Sequence, residues 1–208
     1  MLYIGVDVGT TAVKCLIVDD DLKPVAAGEA GYPLITPMEG WVEQEPDDWW
    51  RATVTAVRGA LRDLESGGRG GLAARGALEI GGISLSTQGG ATAAVDSSGR
   101  PLRRAISWLD SRAGSIGQNL KARYGEEFFY RRTGWKLGGS LPFAAIAWLR
   151  EKEPDIHAGA YKFASTSDYL IHRLTGEWLL DSSNACISML YNLTTRTWDC
   201  ELCGMVGI

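Results

Sequence analysis

This sequence has little that points to nucleic acid, to a membrane or to an oxidising compartment. Acidic residues outnumber basic ones, 25 to 21, for a formal net charge of −4. No basic stripe runs through the chain, which argues against a nucleic-acid partner. No apolar run approaches the ~20 residues that a membrane-spanning helix requires. The N-terminus, "MLYIGVDVG", lacks the positive start and long apolar stretch of a signal peptide, and Asp7 interrupts it early. Cysteine is sparse: Cys15, Cys186, Cys200 and Cys203 form no framework. Cys200 and Cys203 make a lone C-x-x-C without the two further ligands of a zinc site. No repeat of fixed period is present. These absences describe a soluble, intracellular and cytoplasmic protein. What is present is an ordinary globular balance, 45% hydrophobic and 22% charged over 208 residues. That length suits one sizeable core or two small ones.

The pattern begins with strands and turns helical. Residues 2–8 and 13–19 are rich in Val and Ile and predict paired strands, with a third at about 24–30. Pro46 or Asp47 opens a helix, with Trp49, Val54, Val57 and Leu61 at roughly helical spacing. "SGGRGGLAARGAL", residues 66–78, reads as a flexible surface loop. Ile80–Ser86 and Ala91–Val95 read as strands around a tight Gln88-Gly89-Gly90 bend. A short strand ends in "AISWLDSR". Helices follow at about 111–123, 125–132, 142–151 and 165–174, the last capped by Ser165 or Ser167. "TGEWLLDSSNACISML" reads as a strand-like excursion running into a turn and helix. Strands first and helices later indicate an α/β core sheet decorated by helices.

Three short stretches carry candidate chemistry. In "YIGVDVGTTAVKCLIVD" an acid, Asp7, ends a strand beside the knot Gly9-Thr10-Thr11. Successive N–H groups of such a turn can hold an anion, and Thr hydroxyls add donors. Lys14 can neutralise charge, and Asp7 can hold Mg²⁺ directly or through water. The stretch is not a Walker A loop, because G-x-x-x-x-G-K-[ST] is missing. A purely structural hairpin explains the same residues. In "STQGG", Gln88 is a polar group at a strand end, and Gly89-Gly90 allow something to approach the backbone, unless they serve a tight hairpin turn. In "SWLDSR", Trp108, Asp110 and Arg112 alternate at strand spacing and share one side if the strand persists. An aromatic platform with a carboxylate and a guanidinium suits a polyol. An Asp–Arg ion pair at a helix start, with Trp in the core, is the other reading.

Taken in order, "IGVDVGTTAVKCLIVDDD", "GWVEQEPDDWW", "ISLSTQGGATAAVDSSGRPLRRAISWLDSRA" and "STSDYLIHRLTGEWLLDSSNACISMLYNLTTRTWD" resemble the N-terminal domain of the FGGY carbohydrate kinases. The resemblance covers nearly the whole chain. It implies a ribonuclease-H-like α/β domain of the actin-like ATPase superfamily, with a mixed central sheet and flanking helices. It implies ATP and Mg²⁺ as cofactors and a sugar or polyol as acceptor, a pentulose such as xylulose foremost. By this resemblance Asp7 is the metal-associated acid. Gly9, Thr10, Thr11 and Lys14 face phosphate, and Gln88, Trp108, Asp110 and Arg112 form the sugar-side wall.

Two departures stand out. Glycerol kinases follow the glutamine with Arg-Glu and many xylulokinases with Met-His, whereas here Gly89-Gly90 follow. The chain is also about half the family's length. The resemblance therefore places the catalytic base and the C-terminal ATP-binding domain beyond Ile208, and leaves an apolar face on which the chain can self-associate. A non-catalytic sugar-binding or structural module is the alternative. An actin-like ATPase outside the sugar kinases is disfavoured by E-Q-x-P-x-x-W and W-x-D-x-R, which do not belong to phosphate chemistry.

Overall fold

A computed structural model describes residues 1–67 and 79–208. The chain divides into two compact units interleaved in sequence. Unit 1 is Met1–Leu34 with Asp47–Gln88, and unit 2 is Ile35–Pro46 with Gly89–Ile208. In chain order the strands and helices are β1 (Leu2–Val8), β2 (Ala12–Val18), β3 (Pro24–Gly31), β4 (Glu43–Gln44), α1 (Pro46–Glu65), β5 (Ile80–Thr87), β6 (Ala93–Val95) and β7 (Ala105–Ile106). There follow α2 (Gly114–Tyr124), α3 (Glu126–Thr133), α4 (Pro142–Lys152), α5 (Pro154–Gly159), β8 (Lys162–Ala164), α6 (Thr166–Thr175), α7 (Ser182–Ile187), β9 (Tyr191–Asn192), β10 (Thr197–Trp198) and α8 (Cys200–Val206). The loop expected over 66–78 lies, from residue 68 onward, outside the described residues.

Unit 1 is built on a four-stranded mixed sheet of order β3-β2-β1-β5. The β1–β2 and β2–β3 pairs are antiparallel, and β5 runs parallel to β1. Period-two alternation sorts its residues. Leu2, Ile4, Val6, Val8, Val13, Cys15 and Ile17 are buried, while Tyr3, Asp7, Lys14 and Leu16 stand on the opposite, outer face. Helix α1 has Pro at its first position, Asp47 and Asp48 in its first turn and Arg62 in its last, each favourable to the helix dipole. Its buried stripe is Trp49, Ala52, Thr53, Ala56, Ala60 and Leu64. Of the residues expected there, only Trp49 is fully buried; Val54, Val57 and Leu61 flank the stripe.

Small residues replace the valines because the helix sits very close to β3. A Cβ built on Gly28 would fall 2.1 Å from the carbonyl oxygen of Ala56 and 2.5 Å from the amide nitrogen of Ala60. Neither backbone atom can rotate away. Gly28→Val should therefore push α1 off the sheet and destabilise the protein by about 1–3 kcal/mol or more, as overpacking does. Urea unfolding checks this. An unchanged midpoint would show that α1 rides loosely on the sheet.

Unit 2 is mostly helical, with three short antiparallel ladders: β4–β7, β6–β8 and β9–β10. Helix α4 is its centre. Pro142, Phe143, Ala144, Ala145, Ile146, Trp148 and Leu149 are all buried, so the helix is apolar around most of its circumference. Phe143 and Ile146 pack with Phe129, Met189, Leu190, Leu202 and Val206. Ala144, Ala145, Trp148 and Leu149 pack with Ile106 and Ala113. The helices start and stop near the expected positions, and Ser165 caps α6 in a capping box with Asp168.

Three expectations need correction. First, β5 and β6 do not form a hairpin around Gln88-Gly89-Gly90. β5 pairs with β1, and β6 pairs with β8. Second, residues 177–180 contain no strand; the helix after them is α7, capped by Asp181, whose carboxylate accepts from the N–H groups of Ser183 and Asn184. Third, α5 was not expected. It is a six-residue helix that Pro154 starts directly after α4.

Candidate functional site

The first candidate group lies in unit 1, at the β1–β2 hairpin. Its loop is two residues, Thr10-Thr11, and the N–H of Gly9 donates to the carbonyl of Ala12 at 2.9 Å. Tyr32 ties the turn down from the next strand end. Its N–H donates to Thr11 O at 2.9 Å, and its hydroxyl donates to Gly9 O. Burial, helped by the charges of Asp48 and Asp7, raises the Tyr32 phenol well above its ordinary range, so it stays a neutral donor. Hairpin closure thus takes up the Gly9 N–H that the sequence assigned to an anion. Asp7 projects from the outer face, opposite Lys14 on β2 and Ser86 on β5. With Gly5, Glu29 and Ser84 these residues line a trough of about 760 Å³. Asp7 and Lys14 thus share one trough, and the Gly9–Thr11 turn closes the same hairpin without lining it.

An exposed carboxylate of this kind fits Mg²⁺, which keeps most of its waters and is usually held by one or two carboxylates together with phosphate oxygens. No group of three or more His, Cys, Asp or Glu side chains forms a metal cage among the described residues. A metal that arrives with a nucleotide needs none.

The second group lies in unit 2. Strand β7 stops at Ile106, and the chain then turns. Ser107 N–H donates to Val42 O at 3.0 Å, Asp110 N–H to Ser107 O at 3.0 Å and Ser111 N–H to Gly40 O at 2.9 Å. The alternation expected of Trp108, Asp110 and Arg112 is therefore lost. Trp108 is 42% exposed, whereas Asp110 is 2% exposed and the Arg112 side chain 1%.

Asp110 is fully engaged within the protein. It accepts from the N–H groups of Val42 at 2.6 Å and Arg112 at 2.8 Å, and from the Arg112 guanidinium at 2.8–3.0 Å. Arg112 also pairs with Glu43 at 2.9 Å and lies 3.6 Å from the ring centroid of Trp41. Trp41 in turn meets Trp148 edge-to-face at 5.4 Å. Glu43 holds a second guanidinium, that of Arg103, which reaches Glu153 at 3.3 Å. The expected Asp110–Arg112 contact is present, but as a buried clamp beneath the loop that carries Trp108. Asp110 has no free edge for a sugar hydroxyl. The reading as an ion pair at a helix start fits these two residues, although Trp108 is not in the core.

Sequence reasoning missed Glu43, Arg103 and Trp41 as members of this clamp. The signal was their place in the quoted stretches "GWVEQEPDDWW" and "GRPLRRAISWLDSRA". Two stretches sixty residues apart each hold unpaired charges beside apolar residues, and the clamp joins them.

Gln88 ends β5 in unit 1, where its N–H donates to Val8 O at 2.7 Å. Gly89 and Gly90 open the second segment of unit 2. Gly90 has φ +82°, and a Cβ there would fall 2.9 Å from Trp108 Cβ. A Cβ on Gly89 would fall 2.7 Å from Ile187 Cδ1 on α7. Gly90, Asn184 and Ile187 also line a cavity of about 790 Å³, together with Lys162 and Asp168. Burial pushes the Asp168 carboxyl up to about 6, against the opposing pull of its hydrogen bonds with Ser165.

Among the described residues no helix is long and apolar enough to cross a membrane. Comparison with known proteins gives one consistent result. A glycerol kinase of Agrobacterium fabrum is 30% identical over 212 residues, 99% of this chain and 41% of its own. Structures of gluconate kinase and of ligand-bound xylulose kinase, both from Lactobacillus acidophilus, each match with a TM-score of 0.87 at 33% identity, over 100% of this chain and 40% of theirs. The chain spans about two-fifths of the length of the relatives it matches. The ribonuclease-H-like α/β fold expected from the sequence is the fold of these neighbours. A model of the N-terminal domain of the FGGY family of carbohydrate kinases matches residues 2–208, and the chain belongs to that family.

Proposed function

We propose that this chain is the phosphate-loop and acceptor-side part of an ATP-dependent carbohydrate kinase that phosphorylates a hydroxyl of a sugar or polyol, a pentulose such as xylulose foremost. The observation that carries the reading is the exposed Asp7 beside the Thr10-Thr11 turn, with Lys14 across the ladder, in a chain of the FGGY family. Relatives named as glycerol, gluconate and xylulose kinases support the sugar or polyol acceptor.

Each residue then has a task. Thr10 and Thr11 present donors to phosphate oxygens, and Lys14 offsets their charge. Asp7 would hold a magnesium ion, directly or through water, and that ion, bound with ATP, would supply charge neutralisation at the phosphate oxygens. Trp108 gives a flat apolar surface to the C–H face of the acceptor. Asp110, Arg112 and Glu43 do not touch the acceptor; they hold the Trp108 loop in place. The family resemblance assigns Gln88 to the acceptor as well. The base that takes the proton of the attacking hydroxyl, and the adenosine-binding domain, come from chain beyond Ile208. When this chain stands alone, the exposed Tyr3, Leu16, Ile80 and Ile83 of unit 1 favour self-association.

The test is acceptor-dependent release of ADP by the complete protein, scanned over pentuloses, hexonates and glycerol. Turnover with any of them supports the reading. Its absence with all of them, while the acceptors still bind, would favour a non-catalytic sugar-binding module.

A further inference from the structure

Tyr32 follows directly on β3 in unit 1, and its two donors straddle the turn of the β1–β2 hairpin. The N–H donates to Thr11 O at 2.9 Å, on the β2 side. This bond extends the β2–β3 ladder by one step past the Ala12–Gly31 pair, as any meander would. The hydroxyl contact is different. It reaches past the β2 arm to Gly9 O, on the β1 arm. Thr10 and Thr11 are thereby held from both sides, between the Gly9 N–H and its acceptor, Ala12 O. The turn is also closed tightly on itself: a Cβ on Gly9 would fall 3.3 Å from Ala12 O. Tyr32 is only 8% exposed. Burial, with the charges of Asp48 and Asp7, keeps its phenol protonated, so the donor is permanent. Phenylalanine would fill the same space without it. What a surface turn gains from a buried tether is a fixed shape, and donors that stabilise charge in a reaction act best when their positions are set beforehand.

We propose that Tyr32 is a positioning residue for phosphoryl transfer, its hydroxyl and N–H holding the Thr10-Thr11 turn in the shape that receives the phosphates of a bound nucleotide. The inference rests on the kinase reading above. Tyr32 acts through Gly9 and Thr11 rather than on the nucleotide itself. Loss of the hydroxyl frees the β1 arm of the turn, and a small misplacement of positioning groups costs up to about 10²-fold in rate.

The experiment uses the complete protein and its Tyr32→Phe variant, which keeps the ring and the N–H bond and loses only the hydroxyl. Its readouts are amide exchange of residues 8–12 by mass spectrometry, MgADP affinity by calorimetry, and kinetics with an acceptor that the unmodified protein turns over. The variant should exchange this segment, and release MgADP, about three- to tenfold more readily, the reach of one lost hydrogen bond. Its kcat/KM for MgATP should fall about tenfold, while the KM for the acceptor stays within about twofold. A merely structural tether would lower the melting temperature and leave the nucleotide readouts of the folded variant unchanged. That result overturns the proposal, and so does unchanged exchange of the segment. If the unmodified protein turns over no sugar or polyol, the kinase reading fails, and MgADP affinity alone decides Tyr32. Weaker binding by the variant then supports the proposal; equal binding, or none by the unmodified protein, overturns it. If the variant does not fold, the unmodified protein decides. Protection of the segment before MgADP is added supports a turn held in advance, and protection that arises only with MgADP overturns it.

Discussion

Asp7→Ala in the complete protein should lower kcat by about 10²–10³-fold, the usual cost of losing one fixed electrostatic contact to a reacting group, and leave the unfolding midpoint nearly unchanged. The two halves of this expectation come from the same geometry. Asp7 stands on the outer face of β1, out of the core, with Lys14 and Ser86 as its neighbours in register. Exposed substitutions away from caps and buried networks usually shift stability by about 0.5 kcal/mol or less. The hairpin itself is held by other groups, the Gly9–Ala12 bond and the two bonds from Tyr32. Activity and stability should therefore separate. Coupled kinetics with a thermal melt on the same sample checks both. Near-normal turnover would remove Asp7 from the mechanism, and a large drop in melting temperature would make it structural.

The opposite separation is expected at Asp110. Its carboxylate is buried and accepts from two backbone N–H groups and the Arg112 guanidinium. Asp110→Ala leaves Arg112 buried with Glu43 as its one remaining nearby carboxylate partner, and that glutamate is shared with Arg103. Breaking a buried ion pair from one side costs about 3–5 kcal/mol. The loss should appear as a lower urea midpoint in the protein without acceptor. Arg112→Met should cost a similar amount, because Asp110 is then left buried without its guanidinium partner and Trp41 loses its stacked cation. Acceptor affinity should fall only as far as the Trp108 loop loosens. An Asp110→Ala protein of unchanged stability that has lost acceptor binding would show that the carboxylate touches the sugar after all.

These two sites also mark what the sequence could and could not disclose. The β1–β2–β3 meander was legible because its signal is local: alternating Val and Ile, a two-residue turn and an acid at the strand end. Asp7, the turn and Lys14 came with it, since the register of one hairpin places all of them. The α1 stripe was misjudged because hydrophobicity favours Val54 and Val57, whereas the close approach at Gly28 favours Ala56 and Ala60. The pairing of β5 with β1, across an intervening helix, has no local signature, so a hairpin with β6 looked as good. The Trp108–Arg112 stretch failed for a related reason. Its turn is made by bonds to Gly40 and Val42, far away in sequence, and alternation cannot anticipate where a distant segment ends a strand. Gly89-Gly90 suit either a tight turn or a close approach to the backbone, and spacing alone does not choose; the structure shows the approach, by Ile187 and Trp108. The family resemblance bridged part of this gap, because it carries long-range arrangement that spacing alone does not.

Acceptor-dependent ADP release, measured side by side on the complete protein and on the isolated 208-residue chain, tests the central claim most directly. The account predicts turnover by the complete protein near the ordinary kinase scale of about 1–100 s⁻¹. It predicts none above background from the chain alone, because the proposed function puts the base, worth about 10²–10⁴-fold, and the wall that positions ATP against the acceptor outside residues 1–208. Kinase-like rates from the isolated chain would place the catalytic base within residues 1–208, and a complete protein that releases no ADP with any sugar or polyol would contradict the proposed function.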